Sequence, residues 1–187
     1  MLRRGFKSQS ERRSLEVRKS LGLASIAPLD ARRLAQHLGV TVWSAADISD
    51  LPPPDRRHLL EVARYEWSAF VLLERGRYLV VYNPQHSPAR TNSDLMHELA
   101  HIMLGHELAT PGVTADGHFL NGNYDEEQED EADWLGSTLL LPRPALLWMR
   151  SRRMSDAAAT EHFAVSLQML KWRIRMTGVD YQIRRAS

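Results

Sequence analysis

Residues 95–106 read Leu-Met-His-Glu-Leu-Ala-His-Ile-Met-Leu-Gly-His. Three ionisable side chains, His97, Glu98 and His101, interrupt a run that is otherwise apolar up to Gly105. A helix that is apolar on nearly every side is a buried one. Ionisable groups in such a helix need partners, because an unpaired one costs several kcal/mol. His97 and His101 are four residues apart, so on a helix they share a face, one turn from each other. Two imidazoles placed this way can reach one divalent ion, and Glu98 then projects beside the open coordination position.

The spacing is H-E-x-x-H, the zinc-peptidase signature. With 8 His and 12 Glu in 187 residues, chance supplies it about 0.02 times. The chain has no cysteine, which excludes disulfide frameworks, thiol nucleophiles and Cys-based metal sites. A catalytic zinc needs a third protein ligand, here from His, Asp or Glu. The downstream candidates are His106, His118 and the acids of 125–133, which read DEEQEDEAD. On a helix Glu129 and Asp133 share a face, as do Glu126 and Asp133. In a Glu-x-x-x-Asp pair the Glu can ligate while the Asp, one turn on, accepts the second N–H of a ligand histidine. We therefore expect Glu129 as ligand and Asp133 as its neighbour's support.

Around this motif the sequence predicts mostly helix. Helices are expected over 8–21, over ARRLAQHL behind Pro28 and Asp30, and from Asp55 towards Tyr65. Ser87-Pro88 opens a helix running to about His106, and further ones cover about 125–141, 143–152, 155–163 and 167–177, the last ended by Gly178. Residues 40–45, 68–74 and 78–83 read as strands, the last two joined at Arg75-Gly76 as a hairpin. Residues 107–124 read as an irregular loop. The expected class is α+β: a small, mostly antiparallel three-stranded sheet packed on the two metal-bearing helices, with extra helices at both ends.

Charge totals +1, which is not the footprint of a general nucleic-acid binder. It is segregated, however: residues 1–33 and 143–187 are basic, while 107–133 hold nine acids and no Lys or Arg. The default for such runs is solvated faces. No run of 18 apolar residues occurs, so no membrane span is expected. The basic start lacks the apolar stretch of a secretory signal, and a cytoplasmic location is expected.

The sequence resembles the ImmA/IrrE family of zinc-dependent metallo-endopeptidases, built on a gluzincin-like core. The resemblance rests on LVVYNPQHSPAR before the histidines, HELAH, and EDEADWLGSTLLLP after them. Family members commonly read VNP…R, then H-E-L-G-H, then E-x-x-A-N-x-F-A-x-x-L-L-M-P. The matching positions are Asn83-Pro84, Arg90, His97 to His101, and Glu129 with Ala132, Asp133, Leu139, Leu140, Leu141 and Pro142. Ala100 replaces the usual Gly, Leu135-Gly136 replaces Phe-Ala, and Asp133 replaces Asn. Ser93-Asp94 stand where a Phe and a Thr or Ser are usual.

The resemblance implies peptide hydrolysis, with Zn2+ held by His97, His101 and Glu129, Glu98 as the proton carrier, and Asp133 behind a ligand. Tyr124, His118 and His106 are the candidate oxyanion or substrate-binding residues. It also implies a protein substrate, an XRE-type helix-turn-helix repressor, whose cleavage controls a mobile-element or stress regulon. A different class stays open on the residues of 160–178. There a short helix, a turn at Val165-Ser166 and a helix with Lys171, Arg173 and Arg175 read as a helix-turn-helix. A DNA-binding or partner-binding regulator with a structural or degenerate zinc site is the alternative. One domain is expected over 1–187, comprising N-terminal helices (1–39), a zinc-binding core (40–142) and a C-terminal helical extension (143–187).

Overall fold

Two long helices organise the chain in a computed structural model that describes residues 2–49, 52–107, 112–113, 119–120 and 125–186. The first, α4 (Pro88–Leu104), starts where the Ser87 side chain caps the Arg90 N–H, with proline in its first turn, and ends at Gly105. The second, α5 (Glu126–Leu140), is capped by Asp125 and ends before Pro142. They pack face to face along apolar sides that include Leu95, Met96, Leu99 and Ala100 on one and Ala132, Leu135 and Leu139 on the other, all buried.

Their separation is set at Gly136, where an added Cβ would lie 3.3 Å from the Met96 carbonyl and 3.4 Å from His97 backbone atoms. At the far end of α5, two arginines take the carbonyls that no helical N–H can reach. Arg18 of α1 (Phe6–Ser20) donates to Leu139 O at 2.7 Å. Arg173 of α8 (Leu167–Thr177) donates to Leu141 O and to Glu11. Both guanidinium-bearing side chains are fully buried. Burial pushes Arg18 down to about 10 and also lowers Arg173.

The fold class is α+β, with a three-stranded sheet in the order β1–β3–β2 and, among the described residues, a separate pair of two-residue strands, β4 (Gly112–Val113) and β5 (Phe119–Leu120). β2 (Ala69–Glu74) and β3 (Arg77–Tyr82) form the expected hairpin. Its turn residues Arg75 and Gly76 both have positive φ, as a tight two-residue hairpin requires. β1 (Thr41–Ser44) pairs with β3 in parallel, so the sheet is mixed rather than mostly antiparallel. The connection from β1 runs through a 3-10 turn (Ala45–Asp47), α3 (Pro53–Arg57) and a π-helical turn (His58–Val62) into β2 at the other edge of the sheet, and the hairpin then brings β3 back between the two, parallel to β1. The helix expected to be capped by Asp55 begins two residues earlier, because Pro53 and Pro54 have preset φ and need no helical acceptor. The sheet packs on α4, and α5 lies against α4 and α1.

The outer helices are α2 (Ala31–Leu38), α6 (Arg143–Ser151), α7 (Asp156–Phe163) and, beyond Gly178, an unexpected α9 (Val179–Ala186). Gly178 ends α8 in the left-handed conformation, and Val179 restarts a helix that packs on α6. In α8 and just beyond it, Leu170, Ile174 and Val179 are buried while Leu167 is exposed. No helix of the described residues is long and apolar enough to cross a membrane.

Candidate metal centre

α4 and α5 bring His97, His101 and Glu129 together. His97 Nε2 lies 3.2 Å from Glu129 Oε2, His101 Nε2 lies 3.4 Å from Glu129 Oε1, and the two Nε2 atoms are 2.9 Å apart. On the other side of the first ring, His97 Nδ1 lies 2.9 Å from Asp133 Oδ1. The Nδ1–H therefore donates to Asp133, which turns Nε2 towards Glu129 and His101.

Nitrogen lone pairs and carboxylate oxygens aimed at one point repel unless positive charge sits among them. The electrostatics express the same demand. Burial opposes charging of His97, but the carboxylates of Asp133 and Glu129 outweigh it and hold the imidazole protonated up to about 10. Hydrogen bonds from His101 and His97 hold the Glu129 carboxyl far below the usual carboxylate range. Two imidazoles and one carboxylate are also the donor set of a catalytic zinc site. The residues fit a divalent cation.

Glu98 lines the adjoining cavity together with His97 and Asp133. Burial raises its carboxyl, against the pull of the two histidines. The cavity encloses about 590 Å³ between the N-terminal end of β2 (Ser68, Ala69, Phe70) and the first half of α4 (Arg90, Ser93, Asp94). A second cavity of about 310 Å³ continues along α8 past Ser166, Gln168 and Trp172, sharing Asp133 and Met169 with the first. Asp94, which lines the groove, accepts a 2.6 Å hydrogen bond from His86, and Arg90 donates to the Ser68 hydroxyl. Sequence reasoning had not singled out His86.

The remaining candidates fall elsewhere. His106 is buried behind His101, its Nδ1 3.0 Å from His101 Nδ1, and it does not line the groove. His118 and Tyr124 lie outside the described residues. Glu126 occupies the first turn of α5, and its face-mate Glu129 supplies the acid at the centre. Of the basic residues in the helix-turn-helix-like segment, Arg173 turns inward onto Glu11 and Leu141, whereas Lys171 and Arg175 are exposed.

A peptidase family model described as the IrrE N-terminal-like domain matches residues 56–175, a span that contains the whole centre and both cavities' α8 wall. No curated protein matches the chain. Among solved structures, a Mycobacterium tuberculosis transcriptional regulator aligns at 12% identity with a TM-score of 0.48. The alignment covers 92% of this chain and 47% of that one, so the chain spans about half the length of that protein.

Proposed function

The chain belongs to the peptidase family of the IrrE N-terminal-like domain, a metallopeptidase family, and from that premise we propose that it is a zinc-dependent endopeptidase acting on a helix-turn-helix repressor of the XRE type. The observation that carries the catalytic half is the convergence of His97, His101 and Glu129, with Glu98 beside them in a groove. Zinc held there would polarise the scissile carbonyl and make an attacking water more acidic at neutral pH. Glu98 takes the proton of that water as its oxygen attacks the carbonyl carbon. It then delivers the proton to the amide nitrogen as the C–N bond breaks. Asp133 keeps the His97 ring in the tautomer that leaves Nε2 free to ligate.

An extended peptide suits the groove. Among the described residues β2 is an edge strand, hydrogen-bonded to β3 on one side, and its start forms one wall of the groove. A substrate strand can add to such an edge through main-chain hydrogen bonds. The two joined cavities make a cleft longer than a single side chain needs, as expected of an endopeptidase. In this reading the chain is one domain and works in the cytoplasm, where a repressor of a mobile-element or stress regulon is found. Its basic end segments suit an acidic partner surface.

The test is co-expression of the chain, wild type and Glu98→Gln, with the repressor encoded next to it. Wild type should cleave the repressor. Glu98→Gln should retain zinc and leave the repressor whole. Cleavage by Glu98→Gln would remove the mechanism, and an intact repressor with both forms would remove the substrate assignment.

A further inference from the structure

The C-terminal stop of α4 is built so that the chain folds back on a histidine of the metal centre. Gly105 adopts φ +70°, its N–H bonds to Ile102 O, and the His106 N–H bonds to His101 O at 3.1 Å. This pair of bonds is a Schellman stop, which needs a left-handed residue that glycine adopts without strain. The reversal lays the His106 ring edge-on against His101, with ring centroids 4.9 Å apart and the two Nδ1 atoms at 3.0 Å. On its far side His106 Nε2 lies 3.5 Å from Glu131 Oε2, and Glu131 Oε1 pairs with Arg3 Nε at 3.1 Å. Both His106 and Glu131 side chains are largely shielded from solvent, at 8% and 15% exposure.

The protons can be placed along this chain in one consistent direction. His101 faces His97 and Glu129 through Nε2, so as a neutral ligand it carries its hydrogen on Nδ1. That N–H must donate to His106 Nδ1, which leaves the His106 hydrogen on Nε2, directed at Glu131. Arg3 then satisfies the other carboxylate oxygen. Asp133 does for His97 what this three-residue chain does for His101.

We propose that His106 is a positioning residue for His101, with Glu131 and the N-terminal Arg3 fixing His106 in turn; the proposal rests on the zinc reading above. Support of this kind is worth about 10–100-fold in metal affinity. The experiment is chelator competition for Zn2+ on the full chain, with the visible spectrum of the Co2+-loaded protein as a second readout. The forms compared are wild type, His106→Ala, His106→Gln and Glu131→Gln. His106→Ala should bind zinc about 10–100-fold more weakly and shift the cobalt bands, while the metal-free melting temperature stays near that of wild type. Glu131→Gln should lose less. His106→Gln, whose side-chain oxygen can still accept from His101, should recover most of the affinity. Equal zinc affinity and unchanged cobalt spectra across all forms would overturn the proposal while leaving the zinc reading intact. Lowered metal-free stability with unchanged zinc affinity would also overturn it, since His106 would then be packing alone. Failure of wild type itself to bind zinc would sink the underlying reading, and this proposal with it.

Discussion

At the scale of single residues, Glu129 and Asp133 sit one helical turn apart and do different work. Glu129 presents both carboxylate oxygens to the two Nε2 atoms, whereas Asp133 meets Nδ1 of His97. Glu129→Ala removes one of three donors and should weaken zinc binding by about a hundredfold or more. Asp133→Ala leaves all three and should cost about 10–100-fold. Zinc titration of the two variants checks the order, and equal losses would contradict the division of roles. The spacing of His97 and His101 made their shared face legible in the sequence, because four residues make about one turn wherever a helix forms. His106 was legible as a candidate third ligand and as a candidate oxyanion or substrate residue, not as a neighbour behind His101. The signal that could have placed it is Gly105, since a glycine closing a helix commonly turns the next residue back on the last turn.

At the scale of elements, the centre depends on how closely α4 and α5 approach. Gly136 faces backbone atoms of Met96 and His97, which cannot swing aside as a side-chain tip would. Gly136→Val should therefore push the helices apart, destabilise the fold by about 1–3 kcal/mol, and open the distance from Glu129 to the histidines. Thermal melting and zinc titration together test this, and a variant with wild-type zinc affinity would show that the close approach is not what sets the site. Helix starts were well marked: Asp30, Ser87, Asp125, Ser155 and Ser166 each accept a backbone N–H at the helix they precede. α9 was missed because Gly178 reads equally well as the end of a helix and as a corner between two.

At the scale of the whole molecule, residues far apart in sequence clamp the metal-bearing helices. Asn92 of α4 accepts the Ala31 N–H and donates to Ala164 O, tying α4 to α2 and to the α7–α8 corner. Arg18 donates to Ala27 O, Ser14 Oγ and Leu139 O, and so joins α1 to the end of α5. Arg18→Met keeps the volume but strands those acceptors in the core. It should cost about 3–5 kcal/mol, a large share of the 5–15 kcal/mol that holds a typical domain together. Urea unfolding measures it, and a loss under about 1 kcal/mol would mean that water replaces the guanidinium. The segregation of charge has a partial structural use: Arg3 meets Glu131, while Arg173 meets Glu11 at the opposite end of the chain. Much of the rest is solvated, as the sequence suggested.

The sequence by itself determined what depends on neighbours a few residues away: the helix periods, their caps and stops, the hairpin turn, and the face that joins His97 to His101. Those features follow from local backbone geometry, which a short window contains. Only the tertiary structure decided which distant groups meet. It set β1 beside β3 in parallel and turned Arg18 and Arg173 inward. It also brought Glu131 and Arg3 to the far side of His106. Strand pairing and the burial of a charge depend on the partner each finds across the fold, and nothing in the nearby sequence specifies that partner.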